Sequence, residues 1–254
     1  IKAGVPVVSG VESPDAAGVI SEVARRVGAP LLALDSDVQI AHVTASLAGI
    51  TMDLSTPVRQ YVGLHVALPG RFQARNAAVA VRAAEVIFEE ESRASAKVVY
   101  AGLRRVRALS GIQGRLDVMA TEPLIVQDVG HNHDGLSASL RFMNEQLAWG
   151  GGRLFVVFGV MRDKDIDRMA QLLREAGARV VLVPIGVERA MPPEEVAAVC
   201  ARHGLSVQRS DSVEDAMVWF RRLGRPEDGL LITGSHYVAA HVLPEADLNR
   251  PHLS

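Results

Sequence analysis

The stretch Asp128-Val129-Gly130-His131-Asn132 places a carboxylate, a glycine, an imidazole and an amide at the end of an apolar run, just ahead of a helix predicted over 137–147. The carboxylate can accept from a ligand hydroxyl or amine, and the imidazole donates or titrates near neutral pH. A plainer reading is also open, in which Asp128 ends a strand and His131 and Asn132 cap the helix. His131-Asn132-His133 has no clustered third ligand, so no metal site is assigned.

Three further loops carry suitable residues. Gly159-Val160-Met161-Arg162-Asp163-Lys164-Asp165 sets a lysine between two aspartates, which either positions an acidic ligand or forms an ordinary surface ion-pair cluster worth under about 1 kcal/mol. Thr233-Gly234-Ser235-His236 ends an apolar run with a hydroxyl suited to a carboxylate or phosphate, or to a plain cap. In Gly114-Arg115-Leu116 the planar guanidinium can fork onto a phosphate, or remain a surface arginine. Arg71-Phe72-Gln73-Ala74-Arg75-Asn76 opens a long helix, where free amides and the Asn76 side chain can face an anion or a base; a simple polar helix start is the alternative. The chain has no Gly-x-x-x-x-Gly-Lys-[Ser/Thr] phosphate loop, no Gly-x-Ser-x-Gly and no His-Glu-x-x-His, and hydrolase and dehydrogenase readings lose their usual support.

The elements that must hold these residues follow from periodicity. Beyond residue 113 apolar strands predicted at 124–126, 154–158, 180–184, 206–208 and 229–233 alternate with helices predicted at 137–147, 166–175, 193–202 and 213–223, the signature of a parallel α/β domain. Ligands of such sheets bind beyond the carboxyl ends of the strands, where the stretches 128–132, 159–165, 185–190 and 234–237 fall, while Gly114-Arg115-Leu116 lies at the candidate domain boundary. Ahead of it the pattern predicts strands at 5–8 and 30–34 around a helix, β-rich pieces over 38–68, and an amphipathic helix over 74–91.

Composition narrows the class. With 254 residues, 48% hydrophobic and 22% charged, the chain can bury a sizeable core, and two domains are preferred, 1–112 and 113–254. A net charge of -2, interspersed rather than blocked, gives no footprint for nucleic acid or an anionic membrane, and no run approaches the roughly 18 apolar residues of a span. The single cysteine, Cys200, excludes a disulfide framework, reads as a core residue, and points to a reducing, cytoplasmic compartment. The start at Ile1-Lys2-Ala3-Gly4 is no signal peptide and reads as a fragment or processed product.

Taken in order, the loops resemble the second half of the folylpolyglutamate and dihydrofolate synthase family, relatives of the Mur ligases. Ile1-Lys2-Ala3-Gly4-Val5-Pro6-Val7-Val8 is similar to I-K-x-G-V-P-V-V, and the segment from Leu68 to Ala77 to L-x-G-x-H-Q-x-x-N-A. Gly114-Arg115-Leu116-Asp117 resembles P-G-R-L-E, the Asp128 loop D-G-A-H-N, the Gly159 loop F-G-x-x-x-D-K-D, and Thr233-Gly234-Ser235-His236-Tyr237 T-G-S-x-Y. Phe72 stands where the pattern has His, Val129-Gly130 where it has Gly-Ala, and Gln113 where it has Pro.

The resemblance implies an α/β protein: the far part of a Mur-type central ATPase domain, with a small β-rich portion, over 1–112, and a Rossmann-like glutamate-ligase domain over 113–254. It implies a ligase of folate biosynthesis and one-carbon metabolism that phosphorylates a dihydropteroate or folate carboxylate with MgATP and lets the amine of L-glutamate attack the acyl phosphate. Arg115 and His131 would be catalytic; Asn76, Arg115, Asp128 and His131 would contact the nucleotide; His131, Asn132 and Ser235 would bind substrate. Small molecules are the expected partners, with no nucleic acid or membrane, and the protein is expected to be a monomer. The family's phosphate loop, magnesium ligands and modified lysine precede the position of Ile1, so this stretch by itself is expected to be inactive and to expose apolar surface. Rival readings are a non-catalytic nucleotide or folate-binding module and another Mur-type amino-acid ligase.

Overall fold

The computed structural model describes residues 1–88 and 95–240. They fall into two units, Ile1–Ile112 and Gln113–Ser254. In the first, β1 (Val7–Ser9) and β2 (Leu31–Ala33) pair in parallel, connected by α1 (Pro14–Val27). Pro14 suits a first helical turn, where its missing N–H costs nothing, and Gly28 ends the helix in the left-handed conformation. All six strand residues are only half-buried and α1 buries Ala24 alone, so apolar side chains such as Val19 remain exposed here.

A short α2 (Leu34–Asp37) leads into an antiparallel sheet ordered β3 (Gln39–Ser46), β4 (Gly49–Ser55), β5 (Gln60–Val66). Along β4 the alternation of Ile50, Met52 and Leu54 with Thr51, Asp53 and Ser55 puts one face in the core and one toward solvent. The inner face packs on α3 (Gln73–Ile87) through Ala74, Ala77, Ala78 and Val81. The predicted continuation of this helix through Glu91 lies outside the described residues. Glu85, buried on α3, accepts from Tyr61 Oη at 2.9 Å and Thr56 Oγ1 at 2.8 Å, so its charge is met by donors rather than left in the core. Two helices the periodicity reading passed over, α4 (Ala96–Arg104) and α5 (Val106–Ser110), follow; Ala96, Val99, Tyr100 and Leu103 of α4, spaced i, i+3, i+4, i+7, pack on the core, but only Val99 is fully buried, and α5 buries nothing.

The second unit is built on a six-stranded sheet. Its strands are β6 (Asp117–Thr121), β7 (Leu124–Gln127), β8 (Leu154–Phe158), β9 (Arg179–Leu182), β10 (Val207–Arg209) and β11 (Gly229–Thr233), ordered β10-β9-β8-β11-β7-β6. All neighbours are parallel except β6, which runs antiparallel to β7. β7, β8 and β11 are buried at every residue, as strands covered on both faces must be. The edge strand β6, with polar ends and only half-buried residues, has no such run, and periodicity passes over it.

α6 (His133–Leu147), α7 (Ile166–Glu175) and α8 (Pro193–Arg202) connect successive strands in one direction, and α9 (Val213–Leu223) returns the chain to β11 between β8 and β7. Right-handed crossovers therefore put α9 on the face opposite the other three. Phe220 and Ala216 of α9 share a core with Phe155, Val157, Leu230 and Ile232, which contains no residue of α6, α7 or α8. On α7 the buried residues Ile166, Met169, Ala170 and Leu173 follow the i, i+3, i+4, i+7 pattern. Side-chain caps start three of these helices: Asn132 for α6, Asp165 for α7 and Ser212 for α9. The expected α/β class with a mostly parallel, Rossmann-like sheet is the one found, with α10 (His236–Ala240) as a last short turn. Because the direction of strand order reverses at β11, the loops after β7, β8 and β11 meet at the carboxyl edge.

Candidate functional site

At that edge the backbone pairing continues past the strands. The Asp128 amide donates to the Ile232 carbonyl at 3.0 Å, and Thr233 Oγ1 donates to the Gly130 carbonyl at 3.3 Å. Gly234, with φ 104°, passes so close to the next loop that a Cβ there would lie 2.4 Å from the Gly159 carbonyl oxygen. Only glycine meets both demands, the backbone conformation and the approach. Gln127 Nε2 donates to the Ala239 carbonyl at 2.8 Å and ties α10 to the end of β7.

Asp128 is 5% exposed. Its Oδ1 accepts from the Gly130 amide and from Ser139 Oγ, both at 2.8 Å, and its Oδ2 from the Leu116 amide at 3.0 Å. Burial pushes the carboxyl above its ordinary range, opposed by the Ser139 hydroxyl, the amides of Leu116 and Gly130, and the charge of Arg115. The oxygens the sequence offered to a ligand thus each already serve a partner within the unit.

Arg115 is exposed between two residues with positive φ, Gly114 at 67° and Leu116 at 51°. A left-handed leucine costs on the order of 1 kcal/mol, and it is held here by its wholly buried side chain and by Asp128. The Gly114 amide donates to Asp117 Oδ2 at 2.7 Å, and its carbonyl accepts from the Val129 amide at 3.0 Å. The bend that carries Arg115 is therefore pinned to the Asp128 loop from both sides.

His131 is half-buried, with Nδ1 3.1 Å from the Val129 carbonyl. A carbonyl only accepts, so this contact puts the proton on Nδ1 and leaves Nε2 as the accepting nitrogen. Its ring packs against that of His236, centroids 5.6 Å apart and planes inclined by 38°. Asn132 uses its side-chain oxygen to cap α6, accepting from the Gly135 amide at 2.8 Å. Ser235 is buried, and its Oγ accepts from the Tyr237 amide at 3.0 Å.

Arg115, Asp128, His131, Asn132 and Ser235 all lie on the loops of this one edge. Asn76 lies in the first unit, on the exposed side of α3, where its Nδ2 donates to Gln73 Oε1 at 2.9 Å. The neighbouring Arg75 forks onto Asp35 at 2.8 and 3.0 Å and also donates to the Gly10 carbonyl. In the Gly159 loop Lys164 pairs with Asp163 at 2.8 Å, and Arg162 forks onto Glu195 at 2.7 and 2.8 Å; these are surface ion pairs, as the plainer reading has it. Leu116 and His236 lay inside the quoted motifs without a role assigned to them, and Ser139 is a part of the site that motif reading missed. Ser139 in particular has no local signal, because a serine inside a helix reads as a neutral surface position.

Among the described residues no group of three or more His, Cys, Asp or Glu side chains could hold a metal ion, and no helix is long and apolar enough to cross a membrane. The arrangement offers a guanidinium on a braced bend, an imidazole with a fixed tautomer and a buried hydroxyl at one sheet edge, a set suited to an anionic ligand bearing hydroxyl or amine groups.

Residues 114–236 match the Mur ligase, glutamate ligase domain. The chain is 30% identical over 95% of its length to a folylpolyglutamate synthase of Lacticaseibacillus casei, of which it covers 54%. It is 26% identical over 95% of its length to a dihydrofolate synthase/folylpolyglutamate synthase of Bacillus subtilis, of which it covers 55%. A Mycobacterium tuberculosis folylpolyglutamate synthase complexed with ADP has the same fold, with a TM-score of 0.81 at 24% identity over 97% of this chain and 55% of that one. The chain thus spans about half the length of the curated relatives it matches; it carries a Mur ligase glutamate ligase domain over 114–236 and is similar over nearly its whole length to folylpolyglutamate and dihydrofolate synthases.

Proposed function

We propose that this chain forms the glutamate-joining half of an ATP-dependent ligase that adds L-glutamate to dihydropteroate or to a folate. The observation that carries the reading is the convergence of Arg115, His131 and Ser235 on the carboxyl edge of one parallel sheet, at the point where strand order reverses. In this reading Arg115 meets the nucleotide phosphates and stabilises the charge that develops during phosphoryl transfer. His131, its tautomer set by the Val129 carbonyl, presents Nε2 to the nucleotide or to the incoming amine, and Asn132 and Ser235 lie against the glutamate. Asn76 is a separate candidate nucleotide contact within the first unit. ATP with magnesium, the folate and glutamate are the partners, and the protein works as a cytoplasmic monomer.

ATP suits the second unit's donors: a cationic fork on a braced bend beside the amino end of α6, whose dipole favours an anion although Asn132 already caps its Gly135 amide. Among the described residues no group of three or more His, Cys, Asp or Glu side chains could hold the magnesium of MgATP. The test is calorimetric titration with MgATP and with a folate, beside glutamate-dependent phosphate release, for this chain and for a form extended upstream. Binding and turnover that appear with the extension support the ligase. Tight binding by this chain with no turnover in the extended form would replace it with a non-catalytic module.

A further inference from the structure

Ser139 sits in the interior of α6, where a serine has no propensity advantage, and it is 1% exposed. A buried hydroxyl is costly unless hydrogen-bonded. Its one proton faces two acceptors, the Gly135 carbonyl at 2.9 Å and Asp128 Oδ1 at 2.8 Å. The Gly130 amide donates to the same oxygen, so Oδ1 is held by two donors and the carboxylate cannot turn without losing both. Its orientation leaves Oδ2 on the Leu116 amide. Leu116 is the left-handed residue that follows Arg115, and the glycine preceding Arg115 cannot change, since a Cβ there would lie 2.3 Å from Val129 Cγ1. A chain of contacts therefore runs from the α6 interior through the carboxylate to the backbone that aims the arginine.

We propose that Ser139 and Asp128 are positioning residues for Arg115, acting on the nucleotide through the Leu116 amide. The inference rests on the ligase reading for its choice of Arg115 as the nucleotide contact. It differs from direct ligand contact by Asp128 in one measurable respect: the effects of Ser139 and Asp128 should pass through Arg115.

A double-mutant cycle in the full-length protein tests this. Ser139→Ala is expected to raise the KM for MgATP by about 5-fold and to lower kcat with it, yet to change KM by under about 2-fold once Arg115→Ala is present. Asp128→Asn should follow the same pattern, and Ser139→Thr, which retains the hydroxyl, should restore the parent KM. Because the Ser139 bond opposes protonation of Asp128, the acid limb of nucleotide affinity should also move to higher pH in Ser139→Ala. Equal fold-changes in both Arg115 backgrounds, with an active parent, would overturn the inference alone. An inactive parent would sink the ligase reading, and the clamp is then read in the chain itself: the Leu116 amide should exchange its hydrogen faster in Ser139→Ala, and an unchanged rate overturns it.

Discussion

Arg153 and Asp228 clasp the amino-terminal rim of the parallel sheet, at the end opposite the ligand loops. Arg153 Nε lies 3.1 Å from each carboxylate oxygen, and the backbone amides of Arg153 and Arg225 add bonds at 2.7 and 2.8 Å. Asp228 is wholly buried, and the Arg153 guanidinium holds its carboxyl well below the usual carboxylate range. The unfolded chain therefore takes up the proton first: this contribution to stability is complete above about pH 4 and is lost as pH falls toward the folded value. Asp228→Asn should lower the unfolding free energy by about 2 to 4 kcal/mol at neutral pH and flatten its acid dependence. Urea midpoints of parent and variant across the acid range check this, and parallel pH curves would refute it.

Asn132 serves the fold as a helix cap and, under the proposed function, the substrate as well. The two roles separate by substitution. Asn132→Ala should cost about 1 kcal/mol of stability, whereas Asn132→Ser keeps a capping oxygen and should cost a few tenths. If Asn132 also touches glutamate, the Ser variant will melt like the parent while its KM for glutamate rises in the full-length enzyme. A parent-like KM in that variant would leave Asn132 as a cap alone.

Gly234 is closed to other residues by both its φ of 104° and the Gly159 carbonyl. Gly234→Ala should destabilise the second unit by more than about 2 kcal/mol, because the strained backbone and the steric clash add. Thermal unfolding measures it; an unchanged melting temperature would mean that the loops after β8 and β11 do not pack this closely in solution.

Cys200 is 1% exposed on α8, and burial pushes its thiol up to about 11. The thiolate is the reactive species, so in the native protein at about pH 8 a disulfide reagent should label it only at the rate of local opening. Addition of denaturant should release one rapidly reacting thiol. Stoichiometric labelling within seconds under native conditions would contradict the burial.

Much of the second unit was legible in the residues. Runs such as Leu154–Phe158 and Gly229–Thr233 are apolar throughout, which marks strands covered on both faces, and the 3.6-residue spacing on α7 marks its buried stripe. The edge strand β6 was not legible because it buries too little to need a pattern, and α5, five residues with none buried, for the same reason; α4 does carry an i, i+3, i+4, i+7 stripe at Ala96, Val99, Tyr100 and Leu103 that the reading passed over. In the candidate site, Arg115, Asp128, His131, Asn132 and Ser235 stood out as polar residues at turns following or bordering apolar runs.

The sequence by itself determined the strand-helix alternation, the loops that would bear polar groups, and through them the family resemblance. Only the tertiary structure decided which groups meet. Ser139 lies 11 residues after Asp128 and Leu116 lies 12 before it, and each pair spans two different elements, so no single helical or strand period connects them. They converge because the Asp128 carboxylate, just beyond β7, is buried where α6 and the 114–116 bend both supply donors to it, and a buried carboxylate is tolerated only where donors from several elements surround it. That requirement acts through space, so it leaves no period in the chain.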